Sequence, residues 1–384
     1  MLLAQAGGDI FGTLMWFVVF FVFIVLYPRM MLSQMIWKIE AGARRLEAMS
    51  EKANTMAARK AGAAKKVIDQ FTEFFVIEPS ALDPFGIVRK IDQVIRQTEH
   101  RFEGFVRSVA GKKSAKAQQE FNYGLRAAIG LKQIAKIVRH NVELAKKFKN
   151  LQIAMIIQMQ LPIIEKIAEG EFKGTQAFLS GWAIGDSIGP LVAAELIDRA
   201  KPIAEDTVVG ETRIEGRRCF VLKATGPEPH LGRIDEAIER IMSRYDISHV
   251  ITVDAAQKLE GEKSGSIAEG VGFAMGGFAQ REMIENALLP RKKPIDSIVI
   301  KVGMEDALVP MKKEILDAVP ASLEAVKRSV LRSRKGSNVL IIGVGNSCGI
   351  PDVKKELPNV KAAIKHIAAK IAEQEAASQK GRWF

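Results

Sequence analysis

The stretch His249-Val-Ile-Thr-Val-Asp254, continuing as Ala255-Ala-Gln-Lys-Leu-Glu-Gly-Glu-Lys-Ser-Gly-Ser-Ile-Ala-Glu-Gly-Val-Gly-Phe-Ala-Met-Gly-Gly277, decides the fold. A short β-branched run ends in a carboxylate and passes into a glycine-rich, partly acidic loop. In open α/β sheets, ligands bind outside the carboxyl ends of the strands, where such loops lie. Asp254 is therefore the first candidate for a working residue.

Outward from this stretch, beginning near Gly174, apolar runs of strand length alternate with helical stretches. Strands are expected at 207–209, 218–223, 250–253, 297–302 and 339–343, with a further apolar run of strand length at 177–182. Helices are expected at 187–201, 233–244 and 280–288, on to about Arg332, and at 353–377. This alternation predicts an α/β C-terminal domain, a mostly parallel sheet with helices on both faces. Besides the Asp254 loop, three loops are placed at its edge. Ala183-Ile-Gly-Asp-Ser-Ile-Gly-Pro190 sets Gly185 and Asp186 before a helix, with Asp186 as an N-cap or a functional carboxylate. Ala224-Thr-Gly-Pro-Glu-Pro-His-Leu-Gly-Arg233 brings Arg233 to a helix start, where it is suited to an anion. Gly343-Val-Gly-Asn-Ser-Cys-Gly349, with Asn346 at its centre, suits a nest of backbone N–H groups.

The other end of the chain reads differently. Ile10 to Tyr27 holds no charge in 18 residues, close to the length that spans a hydrocarbon core about 30 Å thick. No basic residue precedes it and no small-x-small cleavage site follows, which favours an uncleaved anchor over a signal peptide. Asp9 is the only charge before the run, while Arg29, Lys38, Arg44, Arg45, Lys52, Arg59 and Lys60 follow it. Positive-inside bias then places residues 29–384 in the cytoplasm, single-pass. Two cysteines, Cys219 and Cys348, fit a reducing compartment.

Between anchor and α/β domain the chain reads as helical: 29–63, then 86–110 and 115–150, and a core or interface helix from Leu151 that Pro162 ends. Glu78–Gly86, with two prolines, is a connector. The parts are thus an anchor (1–28), a stalk (29–77), a basic helical domain (78–172), the α/β domain (173–350) and a C-terminal helix and tail (351–384). The stalk is either a plain spacer or a surface helix that drives homo-oligomerisation. A surplus of 56 Lys and Arg over 44 Asp and Glu, net +12, favours an acidic partner surface. Lys132, Lys136, Arg139 and Lys146 recur at helical spacing opposite Leu131, Ile134, Val138, Val142 and Ala145. The basic stripe is either a solvated face or a contact with anionic lipid. Without interleaved aromatic residues, nucleic acid is disfavoured.

Two of the loops carry a resemblance. Gly185-Asp-Ser-Ile-Gly-Pro-Leu-Val192, with Val-Asp254-Ala some sixty residues on, resembles the spore germination proteases and the hydrogenase-maturation endopeptidases. These share a phosphorylase/hydrolase-like α/β fold. The resemblance implies functional acids at Asp186 and Asp254, and it extends to the glycine-rich segment that contains Gly270 and Gly272. In those families a Gly-x-Gly-Asn strand end stands just before the first acid; here Gly343-Val-Gly-Asn346 lies near the C-terminus, as in a permuted order. Their metal-binding histidine has no counterpart, His249 and His230 being only neighbours of the loops. The whole chain also resembles an uncharacterised family of archaeal membrane proteins of unknown function.

Two chemistries follow for the acids. A close pair cannot ionise freely, so one carboxyl stays protonated as acid while the other serves as base in hydrolysis. With Glu262 or Glu269 the pair would instead hold a divalent metal. The competing reading is a helix cap and a turn in a non-catalytic membrane scaffold, a homo-oligomer whose α/β end binds a ligand or partner. Cys348, in its glycine loop, is read as a buried structural thiol.

Overall fold

A computed structural model of the chain describes residues 2–74, 87–272, 288 and 291–380. The connector 78–86, Gly276, Gly277 and all but the last residue of the helix expected over 280–288 lie outside the described residues. The order begins with five helices: α1 (Leu2–Ala61), α2 (Lys65–Phe74), α3 (Ile87–Ala110), α4 (Ala115–Phe148) and α5 (Leu151–Ser180). The chain divides into two compact units, one of Met1–Glu51 with Leu131–Ala168 and one of Lys52–Gly130 with Glu169–Phe384.

In the first unit, Ile39, Ala43 and Leu46 of α1 are buried, as are Leu131, Ala135, Val138, Val142 and Ala145 of α4 and Ala154, Ile157, Leu161 and Ala168 of α5. Their three- and four-residue spacing is the seam of helices packed side by side. Gly42 has no side chain because Leu161 fills that place, 2.4 Å from where a Cβ would stand. Arg139 forks onto Glu47 at 2.7 and 2.9 Å and reaches Glu40 at 2.8 Å, while Lys146 meets Glu40 at 2.5 Å. Lys146, then Arg139, pulls the Glu40 carboxyl down to about 2. Two members of the basic stripe are therefore spent on α1 carboxylates. Pro162 does not end α5: its missing N–H costs one helix bond, and burial of residues on both sides carries the helix through it. The run at 177–182 is accordingly the end of α5, where Ala177 and Phe178 are buried, and no strand.

Two helices, over Leu14–Ala61 and Leu151–Ser180, are long and apolar enough to cross a membrane by length and composition. In α1 the large apolar side chains described between Leu14 and Tyr27 are exposed.

In the second unit a helical cluster joins Ala57 and Ala61 of α1, Ile68 of α2, Phe102 and Val106 of α3, Phe121 and Leu125 of α4, and Leu179 of α5. The rest is the α/β domain. A 3-10 turn (Gly185–Ser187) leads into α6 (Ile188–Ala194), then β1 (Ala200–Ala204), β2 (Thr207–Ile214), β3 (Arg217–Ala224), α7 (Ile234–Met242), β4 (Ile247–Gln257), β5 (Ile267–Val271), β6 (Ile295–Val302), α8 (Lys313–Leu316), α9 (Val319–Leu331), β7 (Asn338–Gly343) and α10 (Leu357–Lys380). The sheet order is β1-β2-β3-β7-β4-β6-β5. One face is covered by α6, α8, α9 and α10, the other by α7.

The sheet is mixed, not mostly parallel. β3, β7, β4 and β6 run parallel, whereas β1, β2 and β5 pair antiparallel to their neighbours. The cause is local. The turns at Asp206 and at Glu215-Gly216 hold positive φ and are too short for a crossover, so the strands they join return antiparallel. The helix expected over 187–201 stops at Ala194, and the chain turns so that Ile197 fills the space above Gly210 before β1 begins. β5, inside what reads as a glycine-rich loop, adds the last edge.

One of the closest backbone approaches in the domain is α6 on the strand ends. A Cβ on Gly189 would stand 2.0 Å from the Val344 carbonyl oxygen and 2.5 Å from that of Val253. Both are backbone atoms that cannot swing aside. Gly189→Ala is expected to destabilise the domain by at least about 2–3 kcal/mol in denaturant unfolding. Gly270→Ala, where a Cβ meets nothing within 4 Å, should change stability by less than about 1 kcal/mol; equal losses at both positions would contradict this account of the packing.

Candidate functional site

The parallel strands bring their carboxyl ends to one edge. β7 pairs with β4 as far as Val253 and Gly343, and the Val344 N–H still bonds the Val253 carbonyl at 2.9 Å. Beyond that rung β7 leaves, and Asp254 stands where its neighbour strand has ended. β4 itself continues to Gln257 along β6, four residues beyond the strand expected at 250–253.

Asp186 arrives from another part of the chain and is held by backbone. The Gly185 N–H donates to Val309 (3.1 Å) and the Asp186 N–H to Ala307 (2.8 Å), in the loop after β6. A Cβ on Gly345 would collide with the Asp186 carbonyl oxygen at 2.1 Å, so the β7 loop lies directly on it. From that loop the Asn346 N–H donates to Asp186 Oδ2 at 2.8 Å, and the Asn346 side chain accepts the Cys348 N–H at 2.9 Å. Ser187 donates to the Cys348 carbonyl at 3.0 Å, which ties the same two loops again. Asp186 is thus not a helix N-cap: its carboxylate is spent across the sheet edge.

The two acids feel each other. Burial raises the Asp186 carboxyl, against the Asn346 N–H, which favours its ionised form. Asp254 is pushed well above the usual carboxylate range, first by burial and then by the negative charge of Asp186, with the Ala255 N–H on its Oδ1 (2.7 Å) opposing. Asp254 is 4% exposed and Asp186 partly exposed. The inner acid therefore holds its proton the more firmly.

Of the other sequence candidates, Gly185 and Asn346 belong to this edge. Gly270 and Gly272 do not: they lie opposite Ser297 and Ile295, two and four residues back along β6 from Val299, which faces Asp254. Arg233 is held by Asp235 at 2.8 Å and Glu236 at 3.5 Å. Glu262 is bound by Lys301 and by the Leu259 N–H, and Glu269 by Arg328. Among the described residues no three His, Cys, Asp or Glu side chains gather as a metal would need. His230 pairs with Asp206 and His249 with Asp296. Cys348 is fully buried, its sulfur 3.2 Å from the Trp182 carbonyl, and burial pushes its thiol up, which keeps it inert.

One ion pair was missed in the sequence. Lys223, fully buried, meets Asp352 at 2.5 Å, and the same oxygen accepts the Gly226 N–H at 2.9 Å. Burial lowers the Lys223 ammonium and Asp352 opposes that. The signal was present: Lys223 occupies the inward register of Cys219 and Val221 on β3, where a lone charge requires a partner.

Residues 13–181 match the family model described as Protein of unknown function (DUF1512) N-terminal domain, and residues 184–351 match Domain of unknown function (DUF1512) C-terminal. The chain belongs to this family. No curated protein matches it.

Asp254 has a folded pKa above its unfolded one. Its stabilising contribution is complete below the unfolded value, about 3.9, and is lost as pH rises through the folded value, about 1.4 kcal/mol for each unit of displacement. Asp254→Asn, which mimics the protonated acid, should therefore raise Tm at pH 8 and leave it nearly unchanged at pH 4. A loss of Tm at both pH values would show that the carboxylate is a structural ligand instead.

Proposed function

We propose that this DUF1512 chain is a membrane-anchored hydrolase that cleaves peptide-type amide bonds with Asp186 and Asp254 as an acid pair. The observation that carries the reading is the meeting of these carboxyls at the carboxyl edge of the parallel strands, each raised by burial and the inner one further raised by the outer. The roles follow from surroundings. Asp186 is the more open and has the Asn346 N–H to favour its ionised form; it takes a proton from the attacking water. Asp254 holds its proton and gives it to the carbonyl oxygen as the tetrahedral centre forms. Collapse of that centre expels the amine with the proton that Asp186 gained, and one hydroxyl of the centre returns a proton to Asp254 as the carbonyl re-forms. The resemblance to germination proteases and hydrogenase-maturation endopeptidases adds support in one particular: the permuted Gly343-Val-Gly-Asn346 run lies in space beside the first acid, where those families place it in sequence.

The apolar stretch Ile10–Tyr27 serves as the single anchor, and the basic residues after it favour a cytoplasmic position for the rest. A second reading, a membrane scaffold that assembles into a homo-oligomer, draws on the exposed apolar side chains Met155, Ile156, Met159 and Ile163 of α5.

The test is hydrolysis of a mixed peptide library by the full-length protein in nanodiscs, read by mass spectrometry. Wild type should cleave. Asp186→Asn and Asp254→Asn should each lose about 10²–10⁴-fold, and the double variant should lose little more than either, because the acids act as a unit. Cleavage that survives both substitutions, or no cleavage by wild type, would overturn the hydrolase and leave the scaffold.

A further inference from the structure

The first unit carries a second feature beside the apolar stretch of α1. Two contacts fix α5 parallel to α1: Leu161 fills the place of a side chain on Gly42, and Arg45 meets Glu165 at 2.5 Å. Glu47 with Arg139 and Glu40 with Lys146 fix α4 antiparallel. Carried back ten residues, the parallel pair sets Leu151 level with Leu32; carried forward ten, the antiparallel pair sets Lys149 level with Trp37. The α4–α5 turn therefore lies beside α1 about 8–15 Å beyond Tyr27, the last residue of the apolar stretch, at about 1.5 Å per residue. The polar layer of a bilayer is about 5–8 Å deep on each side, and lysine stems extend several ångström further.

The turn is built, not loose. Lys149 adopts φ 50°, the Asn150 N–H returns to the Ala145 carbonyl, and the Asn150 side chain caps the Ile153 N–H at 3.2 Å. Its tip is Lys147-Phe148-Lys149, all exposed, with Phe148 at 62% and the Lys147 ammonium 5.6 Å from the Phe148 ring. Trp37, 73% exposed, and the exposed Arg29 and Lys38 stand on the neighbouring part of α1. Residues 28–39 and 144–153 contain no Asp or Glu. Among the described residues, Arg29, Lys38, Lys147 and Lys149 have no carboxylate partner, although Lys146 and Arg139 one and two turns away are fully paired. Four unpaired cations and two aromatic rings just outside the polar layer, with lysine stems long enough to reach it, match an anionic lipid surface.

We propose that the α4–α5 turn, with Trp37, Lys38 and Arg29, is a bilayer contact that binds anionic phospholipid headgroups of the leaflet α1 leaves. This rests on the reading of Ile10–Tyr27 as a membrane span. The contact fixes the first unit upright on the membrane, so that α1 is not a free swivel.

The experiment uses the full chain with a nitroxide at Gln152→Cys, an exposed site beside the tip, since Cys219 and Cys348 are buried and leave the label a single reactive thiol. The protein is reconstituted in vesicles of phosphatidylcholine alone or with phosphatidylglycerol. With phosphatidylglycerol the label should be shielded from a water-soluble nickel relaxant and reached by oxygen. That shielding should be lost in the Lys147→Glu/Lys149→Glu variant and in 1 M KCl, where screening shortens to about 3 Å. Carbonate extraction separates the two claims. A chain retained by the vesicles whose label is equally open to nickel in both lipids overturns the turn contact and leaves the span standing. A chain released by carbonate removes the span, and the contact with it.

Discussion

The α/β domain depends on backbone lying on backbone where α6 meets the ends of β4 and β7. Gly189 leaves no room for a side chain against the Val253 and Val344 carbonyls, and Gly345 leaves none against Asp186. Close approach of this kind is the physical use of glycine. It costs conformational entropy and gives position. Because the helix start cannot move off the strand ends, Asp186 cannot move away from Asp254, and the Asn346 N–H is set on its carboxylate.

The arrangement is expensive, which is why it points to chemistry. Burial disfavours each carboxylate and the charge of one disfavours the other. A fold selected for stability alone has no reason to keep two buried acids where the charge of one lifts the other, and perturbed acids collect at working sites for that reason. The contrast within the domain is informative. Lys223 is as deeply buried as any residue of the chain, yet Asp352 neutralises it directly. Glu262 and Glu269 each have a cation. The Asp186–Asp254 pair has backbone N–H groups, one for each acid, and no cation among the contacts that shift it.

Much of this was legible in the sequence. A strand leading into Asp254 and one ending in Gly343, the long helix α1 as far as Ala61, and an apolar face on α4 follow from periodicity alone; of that face only Ile134 is less than buried. What failed did so for identifiable reasons. A proline in an apolar helix reads as a stop, but α5 is held by packing on both sides of Pro162. The antiparallel flanks hinge on turns at Asp206 and Glu215, where non-glycine residues take positive φ that composition does not announce. The glycines of the 265–272 segment suggested a ligand loop, while Gly270 lies in the edge strand β5. The site itself was half visible: both acids could be named, but Asn346, which ties Asp186 to the β7 loop, comes 160 positions after it, and only the folded sheet makes them neighbours.

The central claim is that the two acids titrate as one system. Selective ¹³C labelling of aspartate and a carboxyl NMR titration of the full-length protein test it directly. Asp254 should titrate well above the ordinary aspartate range in wild type, and Asp186→Asn should move it down, because a negative neighbour has been removed. An Asp254 resonance that titrates in the ordinary range, or is unmoved by Asp186→Asn, would contradict the account.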